Sequence, residues 1–248
     1  MPRYDFKSPR LFVEPALSEG TVIELSRLQA NYLLSVLRKK SGETVLIFNG
    51  EDGEWLATIE VTGRKNANLS CTEQTRPQPK QPDLEYWFAP LKQARLDYMV
   101  QKAVEMGVGK VVPVLTEFTQ VRKLNRDRLY ANAIEAAEQC GILSVPEISE
   151  PLSLDEALSG LGQNQPLLFC DEGEATQNPL EALATIVPAA PLVVLIGPEG
   201  GFSEAERTLL RALENTVPVP LGPRVLRADT AAVAALALVQ ASLGDWQN

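Results

Sequence analysis

Histidine is absent from the 248-residue sequence, and cysteine, methionine and tryptophan occur only three times each. The lack of histidine excludes a histidine general base and a zinc site built on imidazole. The cysteines, Cys71, Cys140 and Cys170, are far apart and odd in number, and they form no C-x-x-C pair. This spacing predicts reduced, buried thiols of a cytosolic protein rather than a disulfide framework.

Long hydrophobic runs are also missing. No stretch approaches the roughly 18–20 apolar residues of a transmembrane helix, and residues 1–7 lack the apolar core of a signal peptide. The composition, with 45% hydrophobic and 22% charged residues, is ordinary for a globular protein that buries a large core. We therefore expect a soluble cytoplasmic protein.

Acidic residues exceed basic ones, with a net charge of −9, but the excess is unevenly distributed. Residues 1–80 contain 11 basic and 10 acidic side chains, whereas residues 151–248 contain 4 basic and 12 acidic ones. The acidic last third alone would repel a polyphosphate. The asymmetry favours a basic N-terminal module that delivers a ligand to an acidic one, although basic clusters are also typical of a solvated surface.

A proline-rich segment at residues 75–83 predicts an extended linker between two domains. Before it, strands are expected at Thr44–Phe48, 54–61 and 68–72. One helix opens on a capping box of Ser26 and Gln29 and ends at Gly42, and its apolar residues at helical spacing are Leu28, Tyr32, Val36 and Leu37. This pattern fits a small β-barrel over residues 1–74. After the linker, strands and helices alternate over residues 84–248, which is typical of a mostly parallel α/β sheet.

Three loops of the second domain follow predicted strands, where ligands bind in open parallel sheets. Residues 196–201 (Ile-Gly-Pro-Glu-Gly-Gly) lead into a capped helix, so a ligand could approach the backbone and free N–H donors closely. A tight turn that merely requires glycine is the structural alternative. Neither a dinucleotide fingerprint nor a phosphate-binding Lys-Ser/Thr pair is present.

Residues 221–227 (Leu-Gly-Pro-Arg-Val-Leu-Arg) place Arg224 and Arg227 in an otherwise acidic and apolar region. Two such arginines are suited to anchoring anions, or to an ion pair with Asp229 or Glu199. The third loop, residues 169–172, ends in acids that could hold ribose hydroxyls, although Asp171 could equally be a solvated loop residue.

Together these motifs resemble the SPOUT-superfamily methyltransferases that modify N3 of a uridine in 16S ribosomal RNA. The resemblance extends to residues 96–108, 138–146 and 36–42, and so covers nearly the whole chain. It implies a PUA-like RNA-binding barrel followed by a trefoil-knotted α/β domain with a parallel sheet. Tyr32, Ile142, Ala228 and Asp229 depart from the family pattern of histidine, arginine, threonine and glutamate.

The resemblance also implies a bound cofactor, S-adenosylmethionine (SAM), and assigns residues to roles. The expected cofactor-binding residues are Phe169, Cys170, Asp171, Glu172, Ile196, Gly197, Pro198, Gly200, Gly201, Leu221, Gly222, Val225, Leu226 and Thr230. For the reaction we expect Arg227 to stabilise the deprotonated uracil, with Glu199 as a second polar group, and no metal. The expected RNA-binding residues are Arg3, Lys7, Arg10, Arg38, Lys39, Lys92, Lys102 and Arg224.

The expected partners are 16S rRNA in the small ribosomal subunit and a second copy of the chain. Residues 230–243 contain no charged side chain, and a helix that is apolar all round must be buried all round. We therefore expect this helix in a homodimer interface, with burial inside one subunit as the alternative. Two other functions stay open from the sequence: a non-catalytic RNA-binding assembly factor, and a nucleotide-dependent oxidoreductase.

Overall fold

The computed structural model describes residue 5 and residues 7–171, 178–186 and 191–247. The chain divides into two compact units, one of Met1–Gln81 with Ile134–Val145 and one of Pro82–Ala133 with Pro146–Asn248. The proline-rich segment is partly built into the first unit, because a strand continues to Arg76 and the Gln78 side chain accepts a hydrogen bond from the Gly53 N–H at 3.0 Å. The sequence patterns did not indicate that residues 134–145 would join the first unit. Cys140 in this segment is exposed, so the expectation of a buried thiol is wrong there, whereas Cys71 is buried.

The first unit contains a mixed five-stranded sheet in the order β1-β3-β4-β5-β2. Its strands are β1 (Arg10–Phe12), β2 (Val22–Glu24), β3 (Thr44–Phe48), β4 (Glu54–Gly63) and β5 (Asn66–Arg76). β1 runs parallel to β3 and the other pairs are antiparallel. The three predicted strands are confirmed, and the two that were missed have only three residues each.

The helical segment that follows β2 begins as predicted but turns a different face inward. The capping box is present, with Gln29 N donating to Ser26 Oγ at 3.3 Å, and α1 (Arg27–Asn31) continues as a π-helical turn over Tyr32–Val36. Leu28, Tyr32 and Val36, expected at helical spacing, are 83, 37 and 62% exposed. Ala30 and Leu33, on another side of this helical segment, are fully buried in the core instead.

From Pro82 onward the elements alternate as predicted. They are β6 (Leu84–Phe88), α2 (Gln93–Glu105), β7 (Lys110–Leu115), α3 (Arg126–Cys140), β8 (Glu147–Ile148), β9 (Leu152–Ser153), α4 (Leu154–Ser159), β10 (Leu167–Cys170), α5 (Pro179–Ala184), β11 (Leu192–Ile196), α6 (Glu204–Arg211), β12 (Thr216–Val219), α7 (Ala228–Ser242) and a 3₁₀ turn at Asp245–Gln247. The short β8, β9 and α4 were not predicted.

The sheet of the second unit has the order β12-β10-β11-β6-β7-β8, with β9 also paired to β7. Every pairing is parallel, which confirms the predicted parallel α/β architecture. A core of Trp87, Val112, Phe169, Leu195 and Phe202 covers one face of the sheet. The trefoil knot stays a prediction.

Helix α7 buries one stripe and leaves another half-exposed. The buried stripe contains Ala228, Ala231, Ala232, Ala235, Leu236, Val239 and Gln240. Gln240 is satisfied within the chain, since its amide donates to the Met106 carbonyl at 2.6 Å and accepts from the Asp245 N–H at 3.0 Å. Val233, Ala234, Ala237 and Leu238 form the half-exposed apolar stripe. No helix in the described part of the chain is long and apolar enough to cross a membrane.

Candidate functional site

The three loops singled out in the sequence leave the same edge of the parallel sheet. Cys170, the last residue of β10, is in register with Ile196 at the end of β11 and with Val219 at the end of β12. Ile196 is in turn in register with Phe88 at the end of β6. The carboxyl ends of four neighbouring strands therefore lie level, which is where open parallel sheets bind ligands.

The end of β10 and the loop after β12 line one pocket. Its lining includes six of the expected cofactor residues, together with Arg224 and Ala231: Cys170, Asp171, Leu221, Gly222, Val225 and Leu226. Gly222 has a φ of +88°, and a Cβ there would meet no protein atom within 4 Å. The loop thus presents bare backbone to the pocket, as a site that binds through main-chain groups requires.

Asp171 is not a solvated loop residue. It is 3% exposed, and its carboxylate accepts hydrogen bonds from Arg207 Nε at 3.0 and 3.2 Å. Arg211 Nη2 lies 3.4 Å from the same carboxylate. Both arginines belong to α6 and follow each other at i, i+4, so they face one side of the helix. These contacts from partly exposed arginines to the buried carboxylate fix the residue that follows β10, a function of Arg207 and Arg211 that sequence reasoning missed.

Cys170 does not offer a nucleophile in this pocket. Burial raises the pKa of its thiol to about 12. The thiol is therefore protonated at neutral pH, when only a thiolate would be reactive. Cys170 can serve the site only through its backbone and its sulfur surface.

The loop between β11 and α6 is shaped by its glycines. A Cβ on Gly197 would lie 2.9 Å from the Phe202 ring, and Gly201 has a φ of +70° with its N–H donating to the Pro198 carbonyl at 2.9 Å. The predicted capping box is present, because Glu206 N donates to Ser203 Oγ at 3.3 Å. The turn itself therefore requires glycine at Gly197 and Gly201, which was the structural alternative for these two positions.

This loop lines a second cleft, of about 230 Å³, beyond the ends of β6, β7 and β11. Pro90, Leu91, Lys92, Ala94, Arg95, Phe118, Gln120, Val121, Pro198, Glu199 and Gly200 line it. Glu199 forms an ion pair with Arg95 across this cleft. Sequence reasoning missed Arg95, Phe118 and Gln120, since only the fold brings them to the loop.

Arg224 and Arg227 are both exposed. Neither forms an ion pair with any residue that the structure describes, so the expected alternative of a salt bridge to Asp229 or Glu199 is wrong. Arg227 stands at the N-cap of α7 without a side-chain capping bond. Arg224 lines the pocket between β10 and β12, and Arg227 follows that lining by one residue in the sequence. Both exposed guanidinium groups are available to an anionic or electron-rich ligand.

The sequence matches two families of known proteins. Residues 78–240 match a family described as an RNA methyltransferase domain, and residues 27–70 match an RNA methyltransferase PUA domain. The chain belongs to the RNA methyltransferase family. The predicted fold class, a PUA-like module followed by a parallel α/β methyltransferase domain, is thereby confirmed.

Relatives of this methyltransferase chain match over nearly its full length. The ribosomal RNA small subunit methyltransferase E of Rickettsia conorii is 33% identical over 94% of this chain and 96% of its own. A methyltransferase from Legionella pneumophila, solved in complex with SAM, is 30% identical with a TM-score of 0.85 over 96% of this chain and 99% of its own. The Neisseria gonorrhoeae methyltransferase E bound to SAM is 29% identical, with a TM-score of 0.84 over 94% and 97%.

The remaining expected cofactor residues of the methyltransferase unit have different surroundings. Phe169 and Ile196 are buried in the sheet, so they can offer a ligand only backbone groups. Thr230 is exposed in the first turn of α7. Glu172 lies outside the described residues.

The RNA-binding residues expected in the first unit also divide. Lys7 and Arg38 are exposed, and Arg38 has an unusual φ of +56°. Lys39 lies 3.8 Å from Glu43. The expectation for Arg10 is wrong. The residue is only 6% exposed and its guanidinium is hydrogen-bonded to Glu54, so it cannot reach a phosphate. Arg3 lies outside the described residues.

In the methyltransferase unit, Lys92 is exposed at the second cleft, as a phosphate-binding side chain should be. Lys102 is less suited to RNA, since its ammonium group lies 2.6 Å from Glu105 and 5.4 Å from the centre of the Tyr98 ring. Within the described residues, no cluster of side chains could hold a metal ion.

Proposed function

We propose that this protein transfers a methyl group from SAM to N3 of a uridine in the 16S rRNA of the small ribosomal subunit. The main support is the meeting of the expected loops at one level sheet edge, in a family whose relatives carry SAM. The named activity of those relatives supports small-subunit rRNA as the substrate. N3 of uridine rests on the motif resemblance.

The pocket between β10 and β12 fits a cofactor held largely by main-chain groups. It combines an open glycine backbone at Gly222 with apolar walls from Leu221, Val225 and Leu226. These residues, with Cys170 and the backbone of Asp171, would hold SAM. When bound, SAM supplies an electrophilic methyl group on a sulfonium, so alignment accounts for much of the catalysis.

The protein must help the uracil to lose its N3 proton, because only the deprotonated nitrogen is a good nucleophile. The chain has no histidine for this task. We assign Arg227 to donate hydrogen bonds to the uracil oxygen on which negative charge develops. Glu199, on the neighbouring loop, is the second polar group and can accept a hydrogen bond from N3–H before that proton passes to solvent water.

We further propose that residues 1–74 act as the RNA-binding module, residues 75–83 as a linker and residues 84–248 as the methyltransferase domain. Lys7, Arg38 and Lys39 provide phosphate contacts in the first of these. Affinity for RNA should then fall steeply with salt concentration, because each phosphate contact releases counterions. Reversal of charge in Arg38→Glu should weaken subunit binding and leave SAM affinity unchanged.

A homodimer is the proposed assembly, with the half-exposed stripe of α7 in the interface. Val233, Ala234, Ala237 and Leu238 lie on one side of the helix and carry no polar atoms beyond the backbone. The small alanines would allow a second helix to approach closely. Gln240 is unsuitable as an interface probe, since it is bonded within its own chain.

Transfer of radiolabelled methyl groups from SAM to small subunits isolated from cells that lack this protein tests the function. We expect labelled 16S rRNA, and mass spectrometry should place the methyl group on N3 of one uridine. SAM should raise the melting temperature, whereas NAD should not. Tight subunit binding without transfer would instead support the non-catalytic assembly factor and refute the enzyme.

A further inference from the structure

We propose that the cleft beside the β11–α6 loop binds the target uracil, stacked on Phe118, with the Arg95–Glu199 pair facing its hydrogen-bonding edge. This inference rests on the proposed function and assigns a substrate subsite separate from the cofactor pocket. The base must leave its RNA stack to be methylated, and enzymes read such a base by aromatic stacking and hydrogen bonds to its Watson–Crick edge.

Phe118 is an exposed aromatic side chain held in place by its turn. Its side chain is 45% exposed, although it follows closely on the buried strand β7. The flanking Thr116 and Thr119 are buried and bonded to each other, with Thr116 N donating to Thr119 Oγ1 at 2.9 Å. Glu117 N donates to Glu206 Oε1 on α6 at 2.8 Å. These bonds fix the backbone on either side of Phe118, and its ring lines the cleft.

Gly200 keeps the space beside this ring free. A Cβ at that position would lie 3.4 Å from Phe118 Cβ, so any larger side chain would cover the ring. The φ of Gly200 is not in the left-handed region, and the turn does not require glycine there. A flat aromatic surface next to a bare backbone is the form of a base-stacking platform.

The Arg95–Glu199 pair selects uracil by its chemistry. The Watson–Crick edge of uracil presents two carbonyl acceptors on either side of the N3–H donor. A guanidinium donor beside a carboxylate acceptor matches one carbonyl together with N3–H. Cytosine would instead present an acceptor at N3, facing the Glu199 carboxylate without a hydrogen bond.

The position of the cleft along the sheet places this base next to the cofactor pocket. The pocket lies beyond β12 and β10, and the cleft lies beyond β11, β6 and β7. β10 and β11 are paired neighbours, about 4.8 Å apart, so the facing sides of the pocket and the cleft are one strand spacing apart. Lys92 at the cleft can contact the phosphate of the bound nucleotide.

Steady-state methylation of small subunits by the full chain and its variants tests the subsite. Loss of a base stack is worth about 5- to 150-fold. We therefore expect Phe118→Ala to lower kcat/KM for subunits by that factor. Phe118→Tyr keeps an aromatic ring and should retain the wild-type kcat/KM. Both variants should bind SAM within about twofold of wild type by calorimetry. Tyr98→Ala is the matched control, because that ring is 47% exposed outside the cleft.

A wild-type protein that transfers no methyl group would refute the proposed function rather than the subsite alone. Given an active wild type, unchanged kcat/KM in Phe118→Ala, or a loss of SAM affinity in that variant, would overturn the subsite. If Phe118→Ala fails to fold by circular dichroism, Phe118→Leu provides a second test. It keeps a large apolar side chain but removes the flat ring, so kcat/KM for subunits should fall while SAM affinity persists. Unchanged kcat/KM in this variant would overturn the subsite.

Discussion

The buried charge cluster of the first unit makes its stability sensitive to single substitutions. Glu54 is 3% exposed, and it accepts hydrogen bonds from Arg10 Nε at 2.8 Å, Arg76 Nη2 at 2.7 Å and Thr75 Oγ1 at 2.9 Å. Glu54→Gln removes the carboxylate that lies between these two arginines and leaves buried positive charge poorly compensated. Such a loss typically costs about 3–5 kcal/mol of unfolding free energy.

Arg10→Met should cost less, because Glu54 keeps its bonds to Arg76 and Thr75. A hydrogen bond to a charged group contributes about 1.5–3 kcal/mol, and we expect a loss in that range. The double variant should lose less unfolding free energy than the sum of the two single variants, because both substitutions remove the same Arg10–Glu54 ion pair. The coupling free energy should be about 1–3 kcal/mol.

The pH dependence has a definite sign. Burial alone would raise the pKa of Glu54, but hydrogen bonds from Arg76, Thr75 and Arg10 outweigh it and hold the pKa below its usual 4.5. An acid with a lowered folded-state pKa stabilises the fold above its unfolded pKa, and this contribution is lost as the pH falls through the folded value. The difference between wild type and Glu54→Gln should therefore shrink below about pH 4.5.

Urea unfolding followed by circular dichroism measures these free energies, and hydrogen exchange of β3, β4 and β5 assigns the transition to the first unit. Additivity of the two substitutions within about 0.5 kcal/mol would refute the reasoning. The same cluster explains why Arg10→Glu is unsuitable as a test of RNA binding. It would set two carboxylates against each other in the interior.

Three further substitutions test the proposed site and assembly. Gly201→Val should weaken SAM binding at least tenfold in calorimetry, because a φ of +70° strains a branched residue and displaces the loop; unchanged affinity would remove this loop from the site. Arg227→Ala should lower kcat about 10²- to 10³-fold at unchanged SAM affinity, as expected for loss of an oxyanion donor, and a change confined to KM would show a binding role instead. Ala237→Glu should convert a dimer to a monomer in sedimentation, and a wild-type monomer at micromolar concentration would disprove the dimer.

Local patterns in the sequence determine much of the fold by themselves. The capping boxes at Ser26 and Ser203 form as predicted, because each bond joins residues only three apart. The apolar runs of β7, β10 and β11 can also be recognised as strands, because a strand buried on both faces of a sheet has mostly apolar side chains. The glycine and arginine loops can also be located directly, since they follow predicted strands in the chain.

The tertiary structure alone decides which candidate residues are available to act. From the sequence, Arg10 and Asp171 are expected to be exposed charges. In the structure Arg10 is buried against Glu54, 44 residues away, and Asp171 is buried against Arg207. Two apolar stripes compete on the first helix, and only packing against the sheet selects Ala30 and Leu33 over Leu28 and Tyr32. The second cleft joins Arg95 to Glu199 across 104 positions. No local signal encodes such a contact, because strand order rather than spacing along the chain brings these residues together.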